Sequence, residues 1–220
     1  MKKMMKSLSV FSLATVLALV PTESAMASTK SDAEKMLKYY KNGNVEKAIE
    51  YSNKLPKKVD KKCIKNLSQV TKKYYKEVLA SYVPNQEKSG EDYLWGYFLA
   101  DLDGDKKAEL LVEHGTCEAD VVTDVYTVKK GKLKKAGKTY AAHGEYYAYA
   151  KHKGVIFSSG VQGVESTKYI RMKKGKIKEV SYRTRQLKEN ENYFPFRQKL
   201  NNHIKYKKSG KAVVSLKDLK

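Results

Sequence analysis

A change of hydrophobic period near residue 84 is the feature that most limits how this chain can fold. From residue 31 to 83, apolar side chains recur at the three- and four-residue spacing of amphipathic helices. After a polar, turn-rich stretch at 84–92, the pattern changes to short runs rich in β-branched and aromatic residues, which are typical of strands. The sequence predicts an α+β fold, in which a short N-terminal helical unit precedes an antiparallel β meander or an open small barrel.

Three helices are predicted in the helical unit, which covers residues 28–83. Ser31 and Glu34 have the spacing of a capping box, so the first helix is predicted to begin there. Asn44 predicts the N-cap of a second helix, which ends before Pro56. Asp60 predicts the start of a third, longer helix. Its predicted buried stripe is Cys63, Ile64, Leu67, Val70, Tyr74, Val78 and Tyr82.

Residues 84–92 are predicted to be a linker, and 93–220 an antiparallel β domain. The clearest predicted strands are Tyr93–Ala100, Val121–Val128, Glu145–Lys151 and Val164–Met172. One internal repeat is visible, because Val125–Lys135 resembles Tyr169–Glu179. Each copy reads as a strand, a Lys-Gly-Lys turn and a second strand, and two copies are too few to close a propeller.

The N-terminus has the three parts of a secretory signal peptide. Lys2, Lys3 and Lys6 form a basic region, Leu8–Val20 is apolar, and Ala25–Ala27 has the small-residue pattern of a cleavage site. The apolar run of thirteen residues is shorter than the roughly 20 that span a bilayer. Residues 1–27 are therefore predicted to be removed, which gives a secreted, extracellular protein with no transmembrane segment after cleavage.

The charge balance is strongly basic, at +21, and only four of the 45 basic residues are arginines. Sequence-specific reading of nucleic acids favours the planar fork of arginine, so the composition argues against a sequence-specific nucleic-acid partner. Lysine excess favours diffuse attraction to anionic cell-envelope or glycan polymers. The alternative is a solvated surface that only keeps the protein soluble.

An acidic loop at 101–109 places oxygen-bearing groups on alternate residues. Several carboxylates this close repel one another unless a cation neutralises them, and Ca²⁺ prefers six to eight oxygen ligands. Gly104 permits the sharp turn that such a loop needs. The predicted ligands of a structural Ca²⁺ are Asp101, Asp103, Asp105, the backbone carbonyl of Lys107, and Glu109.

The loop resembles the Asp-x-Asp-Gly-Asp calcium loops of FG-GAP-like exported bacterial repeats, although Lys106 stands where a second glycine is usual. It is not an EF-hand, which needs glycine at position 6 and glutamate at position 12. Residues 97–137 also resemble an uncharacterised family of exported proteins from low-GC Gram-positive bacteria. That resemblance rests on the loop, the stretch Gly115–Asp120 and the hairpin that begins at Tyr126. It implies extracellular location and Ca²⁺, and no activity.

Further acidic residues follow the loop and could complete its ligand shell or form a second site. They are Glu113, Glu118, Asp120 and Asp124. Cys63 and Cys117 are either a disulfide, as the even count in an exported chain suggests, or free thiols, since Cys63 lies on a predicted apolar face. No cysteine or histidine spacing typical of zinc is present.

No catalytic motif is found, and no catalytic residue is predicted. The sequence favours a secreted, calcium-binding, non-enzymatic binding module for anionic cell-envelope or glycan polymers. The alternative is a secreted hydrolase acting on glycan or peptidoglycan, with Ca²⁺ as a structural ion.

Overall fold

The fold is described by a computed structural model over residues 23–82, 92–150, 153–207 and 212–220. Four helices come first in the chain, followed by ten strands. The helices are α1 (Glu23–Lys41), α2 (Val45–Lys54), α3 (Lys62–Lys65) and α4 (Gln69–Ser81).

The strands form two four-stranded antiparallel meanders and one short pair. The first sheet has the order β1-β2-β3-β4, the second β5-β6-β7-β8, and β9 pairs with β10. The first-sheet strands are β1 (Tyr93–Ala100), β2 (Glu109–Gly115), β3 (Val122–Lys129) and β4 (Lys132–Tyr140). The second-sheet strands are β5 (Gly144–Ala148), β6 (Val155–Val161), β7 (Val164–Lys173) and β8 (Lys176–Gln186). The short pair is β9 (Ile204–Tyr206) and β10 (Ala212–Val214). The predicted α+β class is confirmed, and the sheets are open.

The helices and sheets stack in four layers. The two sheets pack face to face over a core that includes Phe98, Leu111, Val125, Phe157 and Ile170. The outer face of the first sheet packs on α4, and the outer face of the second packs on α1 and α2. β1 and β2 are therefore covered on both faces, which explains why they are almost wholly buried instead of alternating, whereas the edge strands β4 and β8 are largely exposed.

The internal repeat corresponds to the β3–β4 and β7–β8 hairpins. Lys130 and Gly131 form one two-residue turn with φ of 51° and 70°, and Lys174 and Gly175 form the other with φ of 52° and 73°. Positive φ at both central residues is the signature of the type I′ turn, whose twist matches that of antiparallel strands. Each repeat is thus the last hairpin of one meander.

Two details of the predicted helices are wrong. Ser31 does not cap a helix, because α1 already runs from Glu23 and the backbone at Ser31 is helical. The third predicted helix is broken into α3 and α4 because Ser68 is extended and accepts a hydrogen bond from the Thr71 N–H, at 3.2 Å. The restart rotates the buried face, so Tyr75 is buried while Val70 is 55% exposed.

The predicted signal segment lies mostly outside the described residues, and its last residues, 23–27, form the start of α1. Among the described helices, none combines the length and the apolar character needed to cross a membrane.

Candidate metal centre

The acidic loop joins β1 to β2 and is curled by its own carboxylates. The two carboxylate oxygens of Asp101 accept hydrogen bonds from the N–H groups of Gly104 and Lys106, at 2.7 and 2.9 Å. Gly104 and Lys106 have φ of 85° and 66°, so both lie in the left-handed region. Lys106 therefore stands at a position where glycine would be less strained.

Three of the predicted ligands meet inside this curl. One carboxylate oxygen from each of Asp101, Asp103 and Glu109 lies within 4.8 Å of the others. Glu109 is 2% exposed, and its carboxylate accepts hydrogen bonds from the Leu102 N–H and the Thr127 hydroxyl, at 2.8 and 3.0 Å. These contacts hold the Glu109 carboxylate in place beside those of Asp101 and Asp103. The three acids, called the acidic triad below, form a group that could hold a metal ion.

The electrostatics of the acidic triad fit a cation. Burial raises the pKa of Glu109 to about 8, and the carboxylate of Asp103 adds to the rise. Burial also raises the pKa of Asp101, with further contributions from Asp105 and Asp103. Clustered carboxylates whose ionised form is disfavoured are stabilised by a bound positive charge. All the donors are hard oxygens, which suit Ca²⁺ or Mg²⁺ better than a transition metal.

Asp105 does not join the acidic triad. Its carboxylate and that of Asp103 both contact the ammonium group of Lys129, at 2.8 and 2.7 Å. Burial alone would raise the pKa of Asp105, but the hydrogen bond from Lys129 and the one from the Lys107 N–H lower it. Lys129 is a residue of the candidate site that the sequence analysis missed. The signal was available in the Lys-Lys-Gly turn, because β3 ends beside the loop once it pairs with β2.

The backbone on either side of Lys107 contacts the helices. The predicted role of the Lys107 carbonyl as a ligand stays a prediction. The neighbouring carbonyl of Lys106 accepts a hydrogen bond from the Asn66 side chain at 2.8 Å, and that of Ala108 accepts one from the Tyr75 hydroxyl at 2.9 Å. The loop is therefore anchored to the α3–α4 segment as well as to its own strands.

None of the four downstream acids belongs to the acidic triad. Glu113 lies four residues further along β2, or about 13 Å at the rise of a strand. Burial, followed by the charge of Glu145, raises the pKa of Glu113 to about 8. Glu118 and Asp120 lie in a short 3-10 turn beyond the far end of β2, where Asp120 accepts the Thr116 N–H at 2.8 Å.

Asp124 belongs to a separate cluster on the outer face of the first sheet. Its carboxylate lies 3.4 Å from His114 Nε2, accepts the Tyr82 hydroxyl at 2.7 Å and pairs with Lys135. The other ring nitrogen of His114 lies 2.7 Å from Asp92. The imidazole is thus held between two carboxylates, which raise the pKa of His114 above its ordinary value, with Asp124 the larger cause.

We expect the His114 cluster to make stability fall as pH rises. A raised folded-state pKa means that the stabilising charge is fully present below the unfolded pKa of about 6.5 and is lost as pH passes the folded value. Urea unfolding at pH 6 and pH 9 should therefore show a smaller loss of stability for His114→Gln than for the unchanged protein. The matched control is His143→Gln, since the acidic partner of His143 among the described residues is the exposed Glu118, at 3.3 Å. Equal pH dependence in all three proteins would contradict the prediction.

The cysteines are both free, so the disulfide hypothesis is wrong. The carbonyl of Cys63 accepts the Ala108 N–H at one end of β2, whereas Cys117 follows Gly115 at the other. The seven residues of β2 span roughly 20 Å, and a disulfide needs Cα atoms within about 7 Å. Burial raises the pKa of the Cys63 thiol to about 11, which keeps it a neutral thiol at ordinary pH.

Comparison of the chain with family models, with curated proteins and with solved structures finds no match. The similarity of the loop to FG-GAP-like calcium loops therefore stays a prediction from its spacing.

Proposed function

We propose that this chain is a secreted, non-enzymatic module that binds anionic polymers of the cell envelope and is stabilised by Ca²⁺ in its acidic loop. The observation that carries the proposal is the convergence of the two repeated hairpins. Their exposed lysines are Lys130, Lys132, Lys134 and Lys138 on β3–β4, and Lys173, Lys174, Lys176 and Lys178 on β7–β8. These eight residues are called the lysine hairpins below.

The two edge strands β4 and β8 meet where the sheets cross. A Cβ atom added at Gly137 would lie 2.8 Å from Cγ1 of Ile177, so the backbone of β4 already touches the side chain of β8. The ion pairs in this region use Lys129, Lys135 and Lys168, none of which belongs to the lysine hairpins. The lysine hairpins therefore present their charge to solvent on adjoining edges.

This arrangement supports a polymeric partner. An exposed lysine attracts a single anion only weakly. Several lysines that contact one polyanionic chain at the same time bind it much more tightly. The repeated two-residue turns hold the lysines in two rows without any need for a preformed pocket. Secretion is supported by the predicted signal segment.

The acidic triad supports Ca²⁺ as the ion. A loop with carboxylates at unequal depths suits the variable geometry of Ca²⁺ better than the strict octahedron of Mg²⁺. Asp101, Asp103 and Glu109 would hold the ion, which would neutralise their mutual repulsion and fix the β1–β2 connection. Its role is structural, because the lysine hairpins and not the loop would contact the polymer.

Binding to immobilised heparin, used as a general polyanion, tests this function. We expect the variant with glutamine at Lys132, Lys134, Lys176 and Lys178 to bind at least about tenfold more weakly at low salt, since each lysine near a polyanionic surface contributes about 1 kcal/mol. Binding of the unchanged protein should weaken steeply as salt rises.

The matched control replaces the same number of exposed lysines on the two outer helical layers, at Lys38, Lys41, Lys65 and Lys76. Both variants lose the same net charge, so only a localised site distinguishes them. An equal loss of affinity in the two variants, or no binding by the unchanged protein at low salt, would contradict the proposal.

A further inference from the structure

A second feature of the molecule is a cavity of about 630 Å³ beside the acidic loop. It lies between the segment that precedes α3, the ends of β1 and β5, and the stretch that precedes β9. Its volume falls within the roughly 300–1,000 Å³ range of small-molecule sites. Asp101, Gly104 and Lys106 of the acidic loop form part of its wall.

The inner wall of the cavity is apolar. Ala100 and Leu200 belong to the buried core between the sheets, and Val59 and Ala148 pack against that core. All four line the cavity. This wall offers an apolar surface to a bound molecule, and covering it would remove apolar area from water.

The rim of the cavity is cationic. Lys58, Lys62, Lys106 and Lys153 line it, all four are exposed, and none of their ammonium groups forms an ion pair with another described residue. The stem of Lys153 packs over the acidic loop, because a Cβ added at Gly104 would lie 3.4 Å from its Cδ.

Two carboxylates also line the cavity, and both are engaged with backbone groups. Asp60 accepts the Lys62 N–H at 2.9 Å, and Asp101 accepts the two N–H groups of its own loop. Four ammonium groups therefore face two carboxylates, which leaves the rim with a positive excess.

We propose that this cavity binds a small amphipathic anion, with an apolar body against Val59, Ala148 and Leu200 and one carboxylate or phosphate group against Lys62 and Lys153. A neutral analogue lacks the group that the rim attracts, and a cationic analogue is repelled. The lysine hairpins lie on other strands, and a monovalent ligand gains nothing from their combined charge, so the cavity is independent of polymer binding.

Isothermal titration with decanoate below its micelle concentration tests the cavity. We expect one decanoate bound per chain, with decanol and decyltrimethylammonium binding at least about tenfold more weakly. The double variant Lys62→Gln/Lys153→Gln should weaken decanoate about tenfold, because each removed ammonium is a charged partner of the carboxylate. Ala148→Leu, which places three more carbon atoms against the apolar wall where the decanoate chain would lie, should weaken decanoate binding.

Two controls separate this site from general lysine attraction. The variant with glutamine at Lys132, Lys134, Lys176 and Lys178 should bind decanoate unchanged, even if it loses heparin. Phosphatidylglycerol vesicles present the same chemistry as a membrane headgroup, and binding to vesicles without binding to decanoate would overturn the cavity proposal. Absence of decanoate binding, equal binding of decanol, or equal affinity in the rim variant and the unchanged protein would overturn it as well.

Discussion

Replacing Glu165 by alanine is expected to lower the free energy of unfolding by about 3–5 kcal/mol, the largest single effect in this chain. The Glu165 carboxylate is fully buried in β7. It accepts hydrogen bonds from Arg185 Nε at 2.6 Å, from the Tyr40 hydroxyl at 2.9 Å and from the Phe194 N–H at 2.7 Å. Removing it leaves all three donors without this partner in a site from which water is excluded.

The effect is large because this carboxylate joins three parts of the fold. Tyr40 belongs to α1, Arg185 to β8, and Phe194 to the segment after the second sheet. Burial raises the pKa of Tyr40 to about 12, so the hydroxyl remains a neutral donor at physiological pH. Arg185 also pairs with Glu191 and donates to the Asn192 carbonyl, and these contacts fix the position of its guanidinium beside the Glu165 carboxylate.

Urea unfolding of three variants measures this contribution. Glu165→Gln keeps the shape and should lose less than Glu165→Ala. The double variant Glu165→Leu/Arg185→Leu should lose less than Glu165→Ala, because the buried arginine that would have lost its Glu165 partner is then removed as well. The control is Glu50→Gln, since Glu50 pairs with Lys54 at 2.7 Å on an exposed helix surface, where solvent screens the ion pair, and its replacement should leave the free energy of unfolding almost unchanged. A loss below about 1 kcal/mol for Glu165→Ala would contradict the argument.

Local chemistry explains the parts of the fold that the sequence predicts well. Both hairpins can be predicted from their Lys-Gly turns, because the geometry of a two-residue turn depends only on the two residues that form it. Asn44 caps α2 as predicted, with its side chain accepting the Lys47 N–H at 3.1 Å. The break before α4 was missed because Ser68 is compatible with both a helix interior and a cap, and packing decides between them.

Long-range packing explains what the sequence does not predict. The internal repeat was visible, but the face-to-face arrangement of two meanders depends on contacts such as that of Gly137 with Ile177. In the same way, Tyr40 and Glu165 are 125 residues apart, and no spacing rule connects them. Burial of both faces of β1 and β2 also removes, in these strands, the alternation by which a sequence distinguishes inside from outside.

The same distinction between local spacing and long-range packing applies to the candidate metal centre. Asp101, Asp103 and Glu109 come together because they lie within one short loop, and their spacing in the sequence is enough to predict this. Lys129 lies at the end of β3, and it comes close to Asp105 only because β3 pairs with β2 in this register. The spacing of the acids therefore predicts which carboxylate oxygens could come together. The pairing of the strands decides which of these carboxylates already forms an ion pair with a lysine.

Calcium is expected to stabilise the chain by roughly 1.4–2.7 kcal/mol at about 10 mM, if the affinity is the 0.1–1 mM or so that is common in extracellular modules. The physical reason is that the acidic triad concentrates negative charge at a buried position, where only the folded state offers the ion all its ligands. Thermal and urea unfolding in EDTA and then in CaCl₂ measure the increment, and MgCl₂ should give a smaller one.

Two variants should change the calcium increment in opposite directions. Asp101→Asn keeps the shape that accepts the Gly104 N–H but removes a charged ligand, so the increment should fall below about 0.5 kcal/mol. Lys129→Met removes the ammonium that competes for Asp103 and Asp105, so the apo protein should lose stability and the increment should grow by about 0.2–1 kcal/mol.

The control for both variants is Glu118→Gln, because Glu118 is an exposed acid outside the acidic triad and should leave the increment unchanged. The opposite directions of the two changes in the calcium increment are more informative than their magnitudes. General destabilisation would change the increment in the same direction for both variants. Equal increments in the unchanged protein, Asp101→Asn and Lys129→Met would mean that the ion binds elsewhere. No increment at all would mean that Lys129 alone neutralises the loop, and the acidic run would then be a turn held by its own ion pairs.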